Sequence, residues 1–306
     1  MCGLAGIVLK QPGDVGQALV AMGTALVHRG GDSTGFAIYD EVSADHLTVS
    51  LHAVGVDTAA TRVEVDAVLA AAGIRGELME SLDRDAEFFA RYRVSVDADP
   101  ATLTRYLESV PGVTVHAVGR ALTVIKDLGS AAQVDQVHRV GGRRGRHGTV
   151  HCRLATQGTV DVDASHPFWA RPFPDVSVVH HGHITNSERL RRLLCARGFT
   201  FRTDNDSETL AVYLADRLDQ GEDLEVAMAA SLRDLDGIFT YLLATADGVG
   251  VARDRWGACP LVVAETDTMI AFGSEEYALL TVVPEGTRVR SIGEEAVLVW
   301  KSTVTS

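Results

Sequence analysis

The chain has 306 residues and a formal net charge of −13, with 46% hydrophobic and 23% charged residues. That length allows one large domain or two modest ones around a substantial core, and the acidic balance argues against a nucleic-acid surface. No run is apolar for the length a membrane span needs, and the N-terminus lacks the charged-then-apolar order of a secretory signal. The four cysteines, Cys2, Cys152, Cys195 and Cys259, are far apart and form no CxxC pair. That disfavours a disulfide scaffold or a zinc site and fits a reducing cytoplasm.

In chain order, Leu4-Ala5-Gly6-Ile7-Val8-Leu9 reads as a short buried strand, and Gln17 to Leu26 carries apolar residues at helical spacing. A polar, glycine-rich turn follows, His28-Arg29-Gly30-Gly31-Asp32-Ser33-Thr34-Gly35. Two strands come next, Phe36 to Tyr39 and Leu47 to Leu51. Residues 58–148 change character. Val63 to Ala71 and Asp83 to Phe89 are expected as helices and Tyr92 to Val96 as a strand. Pro100 to Leu107 is expected as a helix with proline near its start. Val113 to Val118 with Leu122 to Lys126 is expected as a strand pair. The segment ends in Gly141-Gly142-Arg143-Arg144-Gly145-Arg146-His147-Gly148, which reads as a mobile basic loop.

Beyond it, Thr149 to Leu154 and Val176 to His180 are expected as strands. Ser187 to Arg197 (capped by Asn186), Asp206 to Leu218 and Leu224 to Leu235 are expected as helices. The remainder reads as strands: Phe239 to Leu243, Gly248 to Arg253, Leu261 to Ala264, Met269 to Phe272 and Ala296 to Trp300. Strands in consecutive pairs predict antiparallel sheets with segregated helices, an α+β fold.

Met1-Cys2-Gly3 opens a chemical reading. Once the initiator methionine is removed, Cys2 carries both a thiol nucleophile and an α-amine able to act as a base near neutral pH. Arg153, between apolar neighbours on a strand, needs an inward partner. Asp206 and Glu208 begin a helix, where carboxylates are favoured in any case. Cys152, Cys195 and Cys259 read as packing residues. His181 and His183 share one side of a strand, but no third ligand is specified, so no metal site is predicted.

Taken together and in order, these clusters are more specific. They are Cys2-Gly3, His28 to Gly35, His151-Cys152-Arg153-Leu154-Ala155-Thr156-Gln157-Gly158, His166-Pro167-Phe168, His180 to Asn186, Asp204 to Glu208, Ala252 to Leu261, and Ser274-Glu275. The set resembles the class II glutamine amidotransferase domain, an N-terminal-nucleophile hydrolase. The resemblance implies a four-layer αββα sandwich of two antiparallel sheets, formed by residues 1–57 and 149–306. Residues 58–148 would be an inserted α/β subdomain, a candidate for docking a partner.

It also implies a reaction. Cys2 would attack the side-chain amide of L-glutamine, form a thioester and release ammonia, and water would release glutamate. The oxyanion pair of the family falls on His181-Gly182, with histidine where the family has asparagine. Three arrangements are open: His181 donates; Gly182 donates with His180 or His183; or the site is impaired and the chain is a regulatory or scaffolding subunit. Arg153 matches the arginine holding the α-carboxylate of glutamine, Asp206 the carboxylate holding the α-ammonium, and Arg29 the cation beside the nucleophile. Gly30 fits a backbone close to substrate, and His166 matches a histidine ordering a loop near the pocket. No cofactor is expected in this chain. Layout resembles stand-alone amidotransferase subunits of glutamate-synthase-like systems, N-methylglutamate synthase among them. A hetero-oligomer with an ammonia-consuming, flavin-containing synthase subunit is therefore expected, and neither nucleic acid nor membrane is an expected partner.

Overall fold

A computed structural model describes residues 2–55, 57–154 and 161–301. Met1, residues 155–158 of the His151 cluster and the tail 302–306 lie outside the described residues. The first elements are β1 (Gly3–Gly13), α1 (Val15–Ala25), β2 (Ser33–Tyr39), β3 (His46–Val54) and α2 (Thr58–Ala71). Then come β4 (Gly76–Arg84), β5 (Glu87–Ser95), α3 (Pro100–Leu107), β6 (Val113–Gly119), β7 (Leu122–Leu128), α4 (Ala131–His138) and β8 (Gly145–Arg153). The second half holds β9 (Phe168–Trp169), β10 (Ser177–Ile184), α5 (Ser187–Ala196), α6 (Asp206–Asp219), α7 (Leu224–Asp234), β11 (Gly237–Thr245) and β12 (Gly248–Arg253). It closes with β13 (Val262–Glu265), β14 (Met269–Gly273), α8 (Glu276–Leu280), β15 (Val289–Ser291) and β16 (Ala296–Lys301).

The strands form three antiparallel sheets. The largest has the order β15-β13-β14-β1-β8-β2-β7, the second β16-β12-β11-β10-β9, and the smallest β4-β5-β3-β6. The alternation of β1 divides its side chains between two cores. Leu4 and Val8 face the second sheet, whereas Ala5 and Ile7 face a core completed by Leu19, Met22 and Leu26 around α1. On the second sheet, Val179, Leu242 and Ala244 meet the first sheet, while Val178, Tyr241 and Leu243 pack with α6 and α7 residues such as Leu210, Leu214 and Met228. The result is four layers, α/β/β/α. Tyr39 joins the two sheets: fully buried, its hydroxyl donates to the Ala244 carbonyl at 2.8 Å and lies 2.8 Å from Ser177 Oγ.

Several local expectations differ from the structure. Asp83 to Phe89, expected as a helix, is a tight β4–β5 hairpin in which Arg84 faces Glu87 and Asp85 adopts φ +48°. Pairing of β5 with β3 over its whole length outweighs local helix preference there. The pair β6 and β7 is also not a hairpin. Strand β6 joins β3, whereas β7 joins β2 in the large sheet. The crossing is held by the Asp175 carboxylate, which accepts the N–H groups of Arg120, Ala121 and Leu122 at 2.8–2.9 Å. The smallest sheet, with α2 and α3, spans residues 46–119 and so overlaps the expected insertion 58–148.

The basic stretch 141–148 is not a loose loop but the entry to β8. An added Cβ at Gly145 would meet Tyr39 O at 2.5 Å and one at Gly148 would meet Ala37 O at 2.6 Å, so these glycines permit close strand packing. Its arginines are matched: Arg143 by Glu80, Arg144 by Asp14 and Arg146 by Glu41. Asn186 stands at the N-cap of α5 but does not cap it; its amide donates to Asp234 O at 2.8 Å and accepts from Asp236 N at 3.0 Å. Cys152 and Cys259 are buried as expected, whereas Cys195 is exposed on α5. No helix among the described residues is long and apolar enough to cross a membrane.

Candidate active site

Cys2 leads directly into β1, where Gly3 faces Cys152 on β8, so the next position of β8, Arg153, ends beside the start of β1. The half-buried Cys2 is followed by an anchored backbone. Leu4 N donates to Ser274 Oγ at 3.1 Å and Ser274 N donates to Leu4 O at 2.8 Å. The turn after α1 presents Arg29, which is almost fully buried. Its Nε donates to the Cys2 carbonyl at 3.1 Å, and its Nη1 pairs with Glu275 Oε1 at 2.5 Å. Its Nη2 is enclosed without a partner. His28 reaches the other Glu275 oxygen at 2.9 Å. Ser274-Glu275, quoted in the sequence without a role, therefore anchors β1 and supplies the counter-ion to Arg29. Burial pushes the Cys152 thiol up to about 12, so that group stays a thiol.

Arg153 is half-buried, and its Nη1 donates to Ala164 O at 3.0 Å. Gly30 lies against the same strand end: an added Cβ would sit 2.3 Å from the Arg153 carbonyl carbon and 2.4 Å from Leu154 N. The close backbone approach at Gly30 is thus to β8. His166 follows, stacked on His151 with ring centroids 4.0 Å apart, and both its ring nitrogens are enclosed without hydrogen bonds. Burial holds His166 well below the usual imidazole range and His151 at about 3, so both are neutral. His151 Nε2 lies 3.0 Å from His180 O, a contact between the two sheets.

Strand β10 carries the remaining residues. His180 points to α6, with Nδ1 2.9 Å from Ser207 Oγ. His181 points the other way; its Nδ1 is enclosed without a partner. Burial, with the Arg29 charge as second cause, lowers His181 to about 4. Gly182 has φ +132°, and an added Cβ would lie 2.0 Å from Ile238 O. Phe239, opposite Gly182, engages Asp254 with both its backbone groups, at 2.9 and 3.0 Å. In an antiparallel ladder this leaves the Gly182 N–H directed away from β11. Asp206 opens α6. Its Oδ2 accepts from Ile184 N at 2.9 Å and lies 3.4 Å from exposed His183 Nδ1; Ser207 Oγ is 3.3 Å from its Oδ1.

The structure therefore gathers Cys2, Arg29 and Arg153 at one end of the large sheet. The Arg29 charge acts on His181, and His180 Nδ1 lies 3.7 Å from Asp206 Oδ1. Sequence reading missed a second cluster, around Asp163. Its carboxylate lies 3.1 Å from His52 Nδ1 and 2.8 Å from His116 Nε2, and accepts from Thr114 Oγ1 at 2.7 Å. The three ligand-type atoms lie within 4.8 Å of one another. Lys126 and Arg202 stand beside them, Arg202 Nη2 at 3.7 Å from Asp163, so a cation placed there would meet positive charge. Asp163 serves as a hydrogen-bond acceptor hub. Lys126 Nζ donates to the carbonyls of Asp163 and Ser165, both at 3.0 Å, on either side of the carbonyl taken by Arg153. These residues are scattered in sequence, and no motif marks them.

Comparison with known proteins bears on this geometry. Residues 151–281 match a family profile described as a glutamine amidotransferase domain. Over 287 residues the chain is 34% identical to a protein of Methanothermobacter thermautotrophicus assigned as a glutamine amidotransferase, covering 92% of this chain and 94% of that one. It is 34% identical over 286 residues to the glutamine amidotransferase-like protein GlxB of Rhizobium meliloti, covering 92% of each. The fold matches that of an allosteric regulatory enzyme of purine biosynthesis with a TM-score of 0.63 at 18% identity, covering 99% of this chain and 50% of that one. The present chain spans half the length of that enzyme, and the likeness is one of fold. On sequence identity along nearly its full length, joined to this layered architecture, the chain belongs to the class II glutamine amidotransferases.

Proposed function

We propose that the chain hydrolyses L-glutamine to glutamate and ammonia through a thioester on Cys2, and passes the ammonia to a partner synthase subunit. The observation that carries this reading is the placement of Cys2 immediately before β1, with its carbonyl held by the buried Arg29. After removal of Met1, the α-amine takes the thiol proton and Cys2 Sγ attacks the amide carbon. The amine returns the proton to the departing nitrogen, ammonia leaves, and water then cleaves the thioester to glutamate. Arg153 binds the α-carboxylate through guanidinium N–H groups not given to Ala164. Asp206 takes the α-ammonium with lone pairs left beside its bond from Ile184 N. The oxyanion receives the Gly182 N–H and an N–H of His181, which a pKa of about 4 keeps as a neutral imidazole.

Ammonia set free in water is protonated and loses its nucleophilicity, so a consuming subunit fits the chemistry. Following the layout, this partner is a flavin-containing subunit of a glutamate-synthase-like complex, docked on the inserted segment 58–148, and the chain needs no cofactor of its own. The test is glutamate release from glutamine by the N-terminally processed protein, with and without the partner, beside Cys2→Ala. Turnover that survives Cys2→Ala removes the mechanism. A second reading, a regulatory subunit without hydrolysis, is favoured by one observation: the bulky His181 stands at the family's asparagine position with its Nδ1 enclosed and unpartnered. Absence of turnover under every condition would support it.

A further inference from the structure

A cavity of about 390 Å³ opens between the small sheet and the β7–α4 edge of the large sheet, away from Cys2. Its wall includes the apolar side chains of Leu51, Leu82, Val124 and Val137. Four cations also line it, Arg91, Lys126, Arg139 and Arg143, against a single carboxylate, Glu80. On a chain of net charge −13 such a concave surplus of positive charge is unexpected. It is only partly compensated. Glu80 is shared between Arg91, at 3.0 Å, and Arg143. Arg139, in a left-handed conformation with φ +52°, makes no ion pair among the described residues. Lys126 gives its Nζ to the backbone carbonyls of Asp163 and Ser165, with the Asp163 carboxylate nearby, and burial lowers its pKa to about 8. Arg91 is likewise lowered, by burial and then by the nearby charge of Arg143. Cations gathered in a walled cleft are stabilised when an anion enters.

We propose that this cleft binds a small organic anion, a carboxylate or phosphate group carried on an apolar body. The volume suits a small metabolite, the arginines offer forked donors for carboxylate or phosphate oxygens, and the aliphatic wall takes the rest of the ligand.

The test uses 8-anilinonaphthalene-1-sulfonate, an amphipathic anion, titrated calorimetrically into the full chain without glutamine. Binding is thus read independently of hydrolysis. One saturable site per chain is expected, displaced by inorganic phosphate or by succinate; the better competitor identifies the preferred anionic group. Arg139→Glu with Arg143→Glu should weaken the probe at least about tenfold, as expected for loss and reversal of complementary charge. Val137→Trp, at an exposed position on the rim, should block the site by volume alone while the melting temperature is kept. Absence of saturable binding, or binding indifferent to both the charge reversal and the tryptophan, would overturn the proposal.

Discussion

Arg29 and Cys2 are joined through the backbone: the guanidinium Nε donates to the Cys2 carbonyl at 3.1 Å, while Nη1 is committed to Glu275 at 2.5 Å. The fork holds the Cys2 peptide plane in place, and Glu275 compensates the guanidinium charge. Arg29 therefore acts here as a positioning group as much as a cation.

Arg29→Lys keeps the charge but cannot reach both partners in this geometry. It is expected to lower kcat/KM for glutamine hydrolysis by ~10–100-fold, the loss of one charge-assisted hydrogen bond. The melting temperature should shift little if Glu275 remains paired. Steady-state glutamate release with thermal unfolding separates the two effects.

His181→Ala removes a proposed oxyanion donor and should reduce kcat by ~10²–10³-fold with little change in KM. His181→Asn restores an amide donor and should stay within about tenfold of the parent, since one hydrogen bond replaces another. A kcat unchanged in His181→Ala would leave Gly182 N–H as the sole donor of the pair.

Gly182→Ala is expected to cost at least ~3 kcal/mol of stability, because φ is positive and the new methyl would overlap the Ile238 carbonyl. A denaturant midpoint equal to that of the parent would show that β10 and β11 can separate locally without cost.

Stability should fall as pH drops below about 6.5, the unfolded-state pKa of histidine. The sign follows from burial. His147, His151, His116 and His181 have folded pKa values lowered to about 4, 3, 3 and 4, so between those values and 6.5 the unfolded chain binds more protons. Asp127, lowered to about 2, adds to the loss at lower pH, once its unfolded carboxyl begins to protonate. Melting temperatures measured from pH 7.5 down to 4.5 should decline continuously. A plateau across pH 6.5 to 5 would contradict the enclosure of these imidazoles.

Much of this architecture was legible in the chain. The apolar run Leu4 to Leu9 and the helical spacing of Asp206 to Leu218 are local patterns, and local patterns survive folding. The inserted unit was less so. Phe88 and Phe89 are consistent with either a helix or a strand, and only pairing with β3 decides between them. Asp175 redirects β6 and β7 from a distance in sequence that no window spans. In the site, residue types at matched motif positions singled out Arg29, Arg153, Gly182 and Asp206 as candidates. What those residues touch, above all Glu275 beneath Arg29 and the β8 backbone behind Gly30, depends on tertiary contacts alone.

The three carbonyls at 163, 164 and 165 are claimed in turn by Lys126, Arg153 and Lys126 again. A single peptide link thus separates the grip of the cation-lined cleft from that of the arginine proposed to hold substrate. Lys126 cannot shift without either breaking a hydrogen bond or dragging Arg153's acceptor with it. Mutational drift at one of the two positions is therefore constrained by the other. An engineer adjusting the selectivity of one surface inherits an adjustment to its neighbour.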